Sequence, residues 1–256
     1  MRYISLGSGS RGNATLVEYK GQHILVDCGF SRKVFVQRMM AANVDPVSLR
    51  AVFVTHEHGD HAKGVVKVCE SLDIPFYTSF GTAKRMGWLH HPLWQCISAD
   101  QVTHVSGLNI RAVVVPHDAH EPLQFVIHND VGHKLGILSD LGSLTPYVID
   151  AYQGCHALQV EANHDPDMLR NGPYPPSLVT RVAGDFGHLS NGQCADFIQR
   201  VRWPGLRLVT AGHISEKNND RNLVSQVLAK VLECEPHQVD MLVQDEISPW
   251  YQITDF

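Results

Sequence analysis

The sequence has few of the features that mark secreted, membrane-embedded or polyanion-binding proteins. Its six cysteines are far apart and form no C-x-x-C pair, so we expect no disulfide framework and a reducing cytosol. It has no run of roughly 20 apolar residues and no apolar signal-peptide core near its start, which argues against membrane insertion and secretion. A formal net charge of -5 gives no general attraction to nucleic acid, so such contact would need a local basic groove or bound metal ions.

Histidine, by contrast, is abundant. The chain has 16 His against 21 Lys plus Arg, and many of the histidines stand at the ends of apolar segments. Clusters of His with Asp are typical of metal sites. With 256 residues, 44% of them hydrophobic and 18% charged, the chain has a globular composition and enough length to bury both faces of a sheet. We expect a single domain over residues 1–256.

Apolar β-branched runs alternate with segments of helical period, which predicts an α/β fold. Strands are predicted at Arg2–Leu6, Ala14–Tyr19, His23–Asp27, Ala51–Thr55, Asn109–Pro116, Leu123–His128, His133–Ser139, Ala157–Glu161 and Leu206–Ala211. Helices are predicted at Ser31–Asn43, Ala62–Leu72, Phe80–Met86, Gly192–Val201 and Asn219–Leu232, and His90–Thr103 is predicted to be a loop over the site. This order favours an αββα sandwich, with two mixed β-sheets face to face and helices outside.

The strongest motif is the run from Thr55 to His61, which directly follows a predicted buried strand. His56 and His58 are two residues apart in an extended segment, so both can point to one side and share one metal ion. Asp60 and His61 begin the next helix and are offset from the first pair, which suits a second ion. A polar loop with incidental histidines is the alternative, but it accounts poorly for four potential ligands within six positions.

The pattern H-x-H-x-D-H is the signature of the metallo-β-lactamase superfamily, which the chain therefore resembles. Further superfamily motifs occur in order and bring in Asp27, His117, Asp140 and His213. The metal ligands implied by this resemblance are His56, His58, Asp60, His61, His117, Asp140 and His213. Asp27 is expected to orient the histidine run through hydrogen bonds rather than to bind metal.

Three of these assignments have alternatives. His117 competes with His120 and His104, and is preferred because it directly follows a strand. Asp140 could instead cap a turn, a position that Asp favours. His213 could be a helix-capping or core histidine. In each case the place of the residue in the series of motifs favours a metal ligand.

Other segments narrow the resemblance to the YycJ/WalJ family: Ser8–Asn13, Val160–Asp165, Pro173–Pro175, Gly187–Asn191 and His213–Asn219. That family is similar to the nucleases RNase Z and RNase J and to the phosphodiesterase PhnP, and is associated with 5′-to-3′ exonuclease action on DNA. The resemblance implies a dinuclear hydrolase of DNA, RNA or a small phosphodiester. The ions would be Zn²⁺ or Mn²⁺, because imidazoles suit zinc and carboxylates also admit manganese.

The implied mechanism uses a bridging water whose pKa falls from about 15.7 to roughly 7 between two metal ions. The resemblance assigns catalytic roles to Asp60 and His188, the latter by contacting the substrate phosphate or protonating the leaving group. Substrate-binding residues are then Arg11, Asn13, His164 and His188. The alternatives are that His188 merely precedes a helix, that His164 holds its loop, and that Ser8–Asn13 is a plain turn rather than an anion-binding loop.

Other functions remain open at this point. A small cyclic phosphodiesterase would use the same site, and the negative net charge favours it mildly over a nuclease acting on long polymers. A glyoxalase II-like thioester or lactone hydrolase would need the same activated water, but the motifs around His164 and His188 argue against it. A non-catalytic metal-binding module would be expected to lack ligands, whereas every ligand position here holds a competent residue.

Overall fold

A computed structural model of the protein describes residues 1–254, which fall into two compact units. Unit 1 contains Met1–Val114, Ala119–His133 and the described residues from Val243 onward, and unit 2 contains Val115–Asp118 and Lys134–Leu242. The segments of the two units interleave along the chain. The expectation of a single domain remains a prediction.

The elements are named in chain order. The strands are β1 Arg2–Gly7, β2 Ala14–Tyr19, β3 Gln22–Val26, β4 Leu49–Phe53, β5 Phe76–Thr78, β6 Trp94–Cys96, β7 Val102–Val105, β8 Leu108–Val114, β9 Leu123–Asn129, β10 Lys134–Leu138, β11 Ala157–Glu161, β12 Leu208–Gly212, β13 Asp240–Met241 and β14 Tyr251–Gln252. The helices are α1 Arg32–Ala41, α2 Gly59–Ala62, α3 Val65–Leu72, α4 Phe80–Met86, α5 Pro146–Ala151, α6 Pro166–Asn171, α7 Pro176–Ala183, α8 Asn191–Val201 and α9 Arg221–Leu232.

Unit 1 is built on a mixed sheet. Its order, within the described residues, is β14-β1-β2-β3-β4-β5-β6, antiparallel from β14 to β3 and parallel from β3 to β6. The strands β7, β8 and β9 of the same unit pair antiparallel in chain order. Phe53 of β4 packs edge-on against Phe125 of β9, with ring centroids 5.6 Å apart and both side chains fully buried. The histidine run follows β4 and therefore begins beside this apolar layer.

Unit 2 is built on a parallel sheet with the order β10-β11-β12-β13. In its register Leu138 lies beside Val160, and Glu161 lies beside Gly212. Parallel strands end at the same edge of a sheet, so residues at or just beyond these ends are brought together there. Polar side chains at this edge are Asp140, Glu161 and His213.

Most of the elements predicted from the sequence are present within a few residues of their expected bounds. The predicted helix over Ala62–Leu72 is instead two helices, because α2 begins at Gly59 and α3 starts anew after Gly64. The loop expected over His90–Thr103 was partly wrong, since it contains β6 and the start of β7. Short elements such as β5, β13, β14 and α5 to α7 were missed, because two to eight residues give too little periodicity.

The structure also bears on the cysteines and on membrane-spanning segments. All six cysteines are free thiols, as a sequence without a disulfide framework predicts. Between residues 1 and 254, no helix has both the length and the apolar character that a bilayer crossing requires.

Candidate metal centre

In unit 1 the chain leaves β4 and places His56 and His58 on the extended segment that follows. His56 is fully buried and His58 partly so. The Nε2 atom of His56 lies 3.0 Å from the Nδ1 atom of His58. Two nitrogens bound to one tetrahedral zinc ion would be separated by roughly 3.3 Å. The two imidazoles therefore already have nearly the spacing of ligands that share an ion.

Asp27, just after β3, controls the orientation of the histidine run. Thr55 donates to this carboxylate through its backbone N–H (2.8 Å) and its hydroxyl (2.9 Å), and His61 donates through Nδ1 (2.7 Å). Because the Thr55 hydroxyl donates its only hydrogen to Asp27, its oxygen accepts a hydrogen bond from His56 Nδ1 at 2.9 Å. Both imidazoles thus carry their proton on Nδ1 and present Nε2, the arrangement that metal-binding histidines use.

Burial raises the pKa of Asp27, while the charge and hydrogen bond of His61 and the hydrogen bonds of Thr55 act in the opposite direction. The contacts expected between Asp27 and the histidine run are therefore present in the structure.

Asp60 and His61 belong to α2, as predicted, and are held against the segment that follows β3. The Oδ2 atom of Asp60 lies 3.4 Å from Nε2 of His61. A Cβ atom added to Gly29 would lie 1.8 Å from the backbone oxygen of Asp60, so only glycine allows this approach. At Gly59 an added Cβ would meet nothing within 4 Å. Close packing beside the histidine run thus depends on Gly29, whereas Gly59 is not needed for it.

Asn13, which the sequence suggested as a substrate contact, lies inside the protein framework. Its amide group pairs with Gly9 in both directions, at 2.8 and 3.1 Å, and its Nδ2 lies 3.0 Å from Nε2 of His61. Its backbone N–H donates to the backbone oxygen of Asp60 at 2.7 Å. The side chain is 8% exposed and holds the α2 segment in place. Substrate contact by Asn13 remains a prediction.

The loop Ser8–Asn13 uses its backbone N–H groups within unit 1. Donors from this loop bond to the oxygens of Val243, Asn13, Gln244, Gly9 and Asp60. The Arg11 guanidinium forms an ion pair with the exposed carboxylate of Asp245. These bonds favour the plain-turn interpretation of the loop over an anion cradle. The role of Arg11 in binding substrate remains a prediction that now requires Asp245 to release it.

Unit 2 gathers a second set of titratable side chains at the carboxyl edge of its sheet. Asp140, Glu161, His188 and His213 each offer one ligand atom, and these atoms all lie within 4.8 Å of one another. Asp140 and Glu161 are almost completely buried, with 1% and 0% exposure. A ring nitrogen of His213 contacts the Asp140 carboxylate directly.

Glu161 and His188 also form a close ion pair in this set. The Nδ1 atom of His188 lies 2.6 Å from Glu161 and 3.1 Å from Asp140. The other oxygen of Glu161 accepts from the backbone N–H of Leu141 at 3.1 Å. Burial acts to lower the pKa of His188, but the charge of Glu161 and the hydrogen bonds to Asp140 and Glu161 outweigh it and raise that pKa well above its usual value. The negative charge of Glu161 therefore favours the protonated form of His188.

His117 and His120 differ sharply, although three residues separate them. His117 is 6% exposed, and its Nδ1 donates to the backbone oxygen of Gly187 at 3.1 Å, so that Nε2 is its ligand atom. His120 is 62% exposed at its side chain and contacts the carboxylate of Glu57 in unit 1. The buried, oriented imidazole of His117 is the better candidate ligand. His104 pairs with Asn109 on β7 and β8.

His164 lies next to the His188 loop in unit 2. It is 3% exposed, and its Nδ1 atom has no hydrogen-bond partner among the described residues. Burial and the charge of His188 lower the pKa of His164 to about 4. Its backbone oxygen accepts from the N–H of Asn191 at 2.9 Å. The backbone thus holds two loops together, without a hydrogen bond from Nδ1 of the ring. Substrate binding by His164 and a loop-holding role of its side chain both remain predictions.

Two features of the site escaped the sequence analysis. Glu161 was assigned no role of its own, although a carboxylate at the end of a largely apolar strand is itself a signal. Asn191 and Asn219 form a reciprocal pair of amide hydrogen bonds at 2.8 and 2.9 Å, and tie the His188 loop to the segment after His213. Sequence gives little indication of such a pair, because the two residues are 28 positions apart.

The residues present in each unit fit divalent metal ions. Unit 1 provides three close imidazoles and one carboxylate, and unit 2 provides two buried carboxylates with two imidazoles. Nitrogen and carboxylate oxygen are the donors of zinc and manganese sites. Two buried carboxylates side by side are costly without a compensating positive charge, which a proton or a metal ion supplies.

Comparison with known proteins identifies the family. The model of the beta-lactamase superfamily domain matches residues 22–214. Exodeoxyribonuclease YycJ of Bacillus anthracis is 31% identical over 237 residues, covering 91% of this chain and 89% of the relative. Exodeoxyribonuclease WalJ of Streptococcus pneumoniae is 28% identical over 237 residues, covering 90% of this chain and 88% of the relative.

The structural comparison agrees. The metallo-beta-lactamase fold protein YhfI of Bacillus subtilis superposes with a TM-score of 0.72 at 15% identity, covering 96% of this chain and 98% of YhfI. At that identity the likeness shows the fold alone, and it confirms the predicted α/β class with two mixed sheets and helices. The chain belongs to the metallo-β-lactamase superfamily of metal-dependent hydrolases, and within it to the YycJ/WalJ family.

Proposed function

We propose that this protein is a dinuclear-metal-dependent phosphodiester hydrolase that degrades DNA from the 5′ end. The observation that carries the proposal is the buried Glu161–His188 pair beside Asp140 and His213. It supports the proposal because an imidazole, which can carry a proton, lies beside side-chain atoms of the types that bind metal ions. The relatives named exodeoxyribonucleases, which match about nine tenths of the chain, support DNA as the substrate class.

The ligand set follows the superfamily motifs. The residues proposed to hold two Zn²⁺ or Mn²⁺ ions are His56, His58, Asp60, His61, His117, Asp140 and His213. The ions, when bound, would supply Lewis acidity and activated water at neutral pH. The protein fixes the ligand atoms beforehand, because Asp27 and Thr55 orient His56 and His61, and the Gly187 carbonyl orients His117.

His188 is proposed as the general acid. Its Nδ1 faces Glu161, so the proton available to a substrate is the one on Nε2. When water attacks phosphorus and the bond to the leaving oxygen breaks, that oxygen needs a proton, which His188 donates. The negative charge of Glu161 stabilises the charged imidazole before transfer. The ring is partly exposed, at 23% of its side chain, so it can reach a substrate.

A smaller phosphodiester is the second candidate substrate. The net charge of -5 repels a long polyanion, and the Arg11 guanidinium is paired with Asp245. A cyclic or mononucleotide diester carries less charge and would need fewer compensating groups.

The proposal is tested with DNA labelled at either the 5′ or the 3′ end, in the presence of Mn²⁺ or Zn²⁺, beside the variants Asp60→Ala and Asp167→Ala. Asp167 is an exposed residue of α6, so its loss serves as the matched control. Release of labelled mononucleotide from the 5′ end, lost only in Asp60→Ala, is expected. Hydrolysis of a cyclic or chromogenic diester without any cleavage of DNA would replace the nuclease with the smaller-substrate enzyme, and hydrolysis of a thioester alone would overturn both.

A further inference from the structure

Phe186 stands out among the exposed side chains of unit 2. It is 62% exposed, and together with Phe80 it is one of two phenylalanines more than half exposed in residues 1–254. It lies two positions before His188, so the two Cα atoms are at most about 7 Å apart. That is close to the spacing of neighbouring bases along an extended single strand. The exposed part of this ring adds little to folding, and its position beside the proposed acid makes it available to contact a ligand.

The backbone around this ring is firmly held. The oxygen of Phe186 accepts from the N–H of Asp118 at 2.9 Å, and the oxygen of Asp185 accepts from the Ser143 hydroxyl at 3.0 Å. Next to it, the N–H of Gly187 donates to Gly184 at 2.8 Å. The loop is therefore a fixed support rather than a loose connection, and the exposed ring loses little conformational freedom when it contacts a ligand.

Gly187 makes this placement possible. A Cβ atom there would lie 2.2 Å from the backbone oxygen of Val182 and 2.3 Å from that of Arg181. The glycine lets the loop fold back on the end of α7, where the N–H of His188 donates to Val182 at 2.9 Å. The ring of Phe186 and the imidazole of His188 are thus carried by one tightly folded segment.

The charges nearby favour a base over a phosphate as the occupant. Arg181 lies at the end of α7, but its guanidinium is paired with Asp118 at 2.7 Å. With that charge compensated and a net charge of -5, this surface attracts phosphates weakly. Stacking on an aromatic ring needs no charge and tolerates any base, provided that the base is free of a duplex stack.

We infer that Phe186 stacks on an unpaired base next to the scissile phosphate of single-stranded DNA. This inference rests on the proposed function and specifies its substrate: a free end or single strand rather than an intact duplex. The ring would position the nucleotide while the leaving oxygen faces His188. It acts by binding and positioning, and takes no part in proton transfer.

The test is binding of a fluorescent single-stranded phosphorothioate oligonucleotide to the metal-loaded protein, followed by anisotropy. Phe186→Ala is expected to raise the Kd by about 5-fold to about 100-fold, the range for stacking one base on an aromatic side chain. Phe186→Tyr should stay within about 2-fold of the wild type, whereas Phe186→Leu should resemble the alanine variant. Val131→Ala, at a 61% exposed position in a turn, is the matched control and should not change the Kd.

A second oligonucleotide with two abasic sites at its 5′ end separates stacking from other contacts. Wild type and Phe186→Ala should bind it equally. Unchanged affinity in Phe186→Ala, full affinity in Phe186→Leu, or the same loss on the abasic strand would each overturn the inference. If the wild type hydrolyses a small diester and binds no DNA, the proposed nuclease function itself fails, which is a different result from DNA binding that ignores Phe186.

Discussion

Replacing Glu161 with glutamine tests the proposed acid most directly. The Glu161 carboxylate is fully buried, contacts His188 at 2.6 Å with one oxygen and accepts from Leu141 N–H with the other. Glutamine has nearly the same shape, and its amide oxygen can still accept from Leu141. The charge that stabilises protonated His188 is lost, and the amide NH₂ cannot accept a hydrogen bond from the imidazole N–H. The substitution therefore lowers the affinity of His188 for its proton with little change in packing.

The expected loss follows from what a positioned general acid contributes. Proton transfer by such a group is worth about 10²-fold to 10⁴-fold in rate, or roughly 3 to 5 kcal/mol of the barrier. Glu161→Gln should lower kcat on DNA within that range and leave KM nearly unchanged, because the substrate still meets the same surface. Stability should fall less than in Glu161→Ala, which would leave Leu141 N–H and His188 without their buried partner.

The pH dependence of kcat should change in a definite direction. His188 must be protonated to act as an acid, so kcat on DNA should fall as pH rises through its pKa. Glu161 raises that pKa, and its removal lowers it. The falling limb of the profile should therefore move to lower pH in Glu161→Gln. A p-nitrophenyl diester, whose leaving group departs without a proton, should show a much smaller loss in kcat.

The controls are metal content, which should match the wild type, and Glu233→Gln at an exposed ion pair with Arg202. Equal losses on DNA and on the p-nitrophenyl diester, with metal retained, would refute the assignment of His188 as the acid. A loss of bound metal would instead make Glu161 a ligand. A falling limb that stays in place would refute the coupling between the two side chains.

Three further predictions concern the framework. Asp27→Asn should weaken metal binding about 10-fold to 100-fold, measured by competition with a chelating dye, because the amide no longer fixes the tautomer of His61; unchanged affinity would contradict that role. Gly29→Ala should lower the free energy of unfolding by about 1 to 3 kcal/mol and Gly59→Ala by much less, as judged by urea denaturation; equal effects would contradict the close approach. His23 is buried, neither ring nitrogen has a hydrogen-bond partner within residues 1–254, and burial lowers its pKa. The unfolded chain then binds the extra proton first, so wild type should lose stability below about pH 6.5, and His23→Phe should lose less over the same range.

The sequence was most informative where one residue type had one physical reason to be present. Strands such as β2 and β11 were predicted with their observed bounds, because most residues in these buried segments are apolar or β-branched. The histidine run was found because so many donor atoms in six positions serve no purpose in packing. The short edge strand β6 was missed because two of its three residues are exposed.

The parts of the site that sequence could not supply depend on long-range register. Nothing local indicates that Glu161, at the end of β11, would lie beside His188, which is 27 positions away. Nor does the chain around Asn13 indicate that its amide would meet His61 rather than a substrate. Both contacts arise because separate segments end at one edge or fold back on one loop. A largely apolar strand that ends in a carboxylate is nevertheless a pattern that could have prompted the assignment.

The backbone itself distinguishes the site from the rest of the protein. Asp27, Asp140 and His213 each follow a strand with φ between 49° and 61°, the left-handed region where glycine costs least. The other seven non-glycine residues with positive φ in residues 1–254 are all exposed, whereas these three are at most 4% exposed. If only the turn mattered, glycine would serve in a buried position and avoid desolvating a titratable group. A carboxylate or imidazole kept at three such turns, at a cost of about 1 to 3 kcal/mol each, indicates that its chemistry is what the position requires.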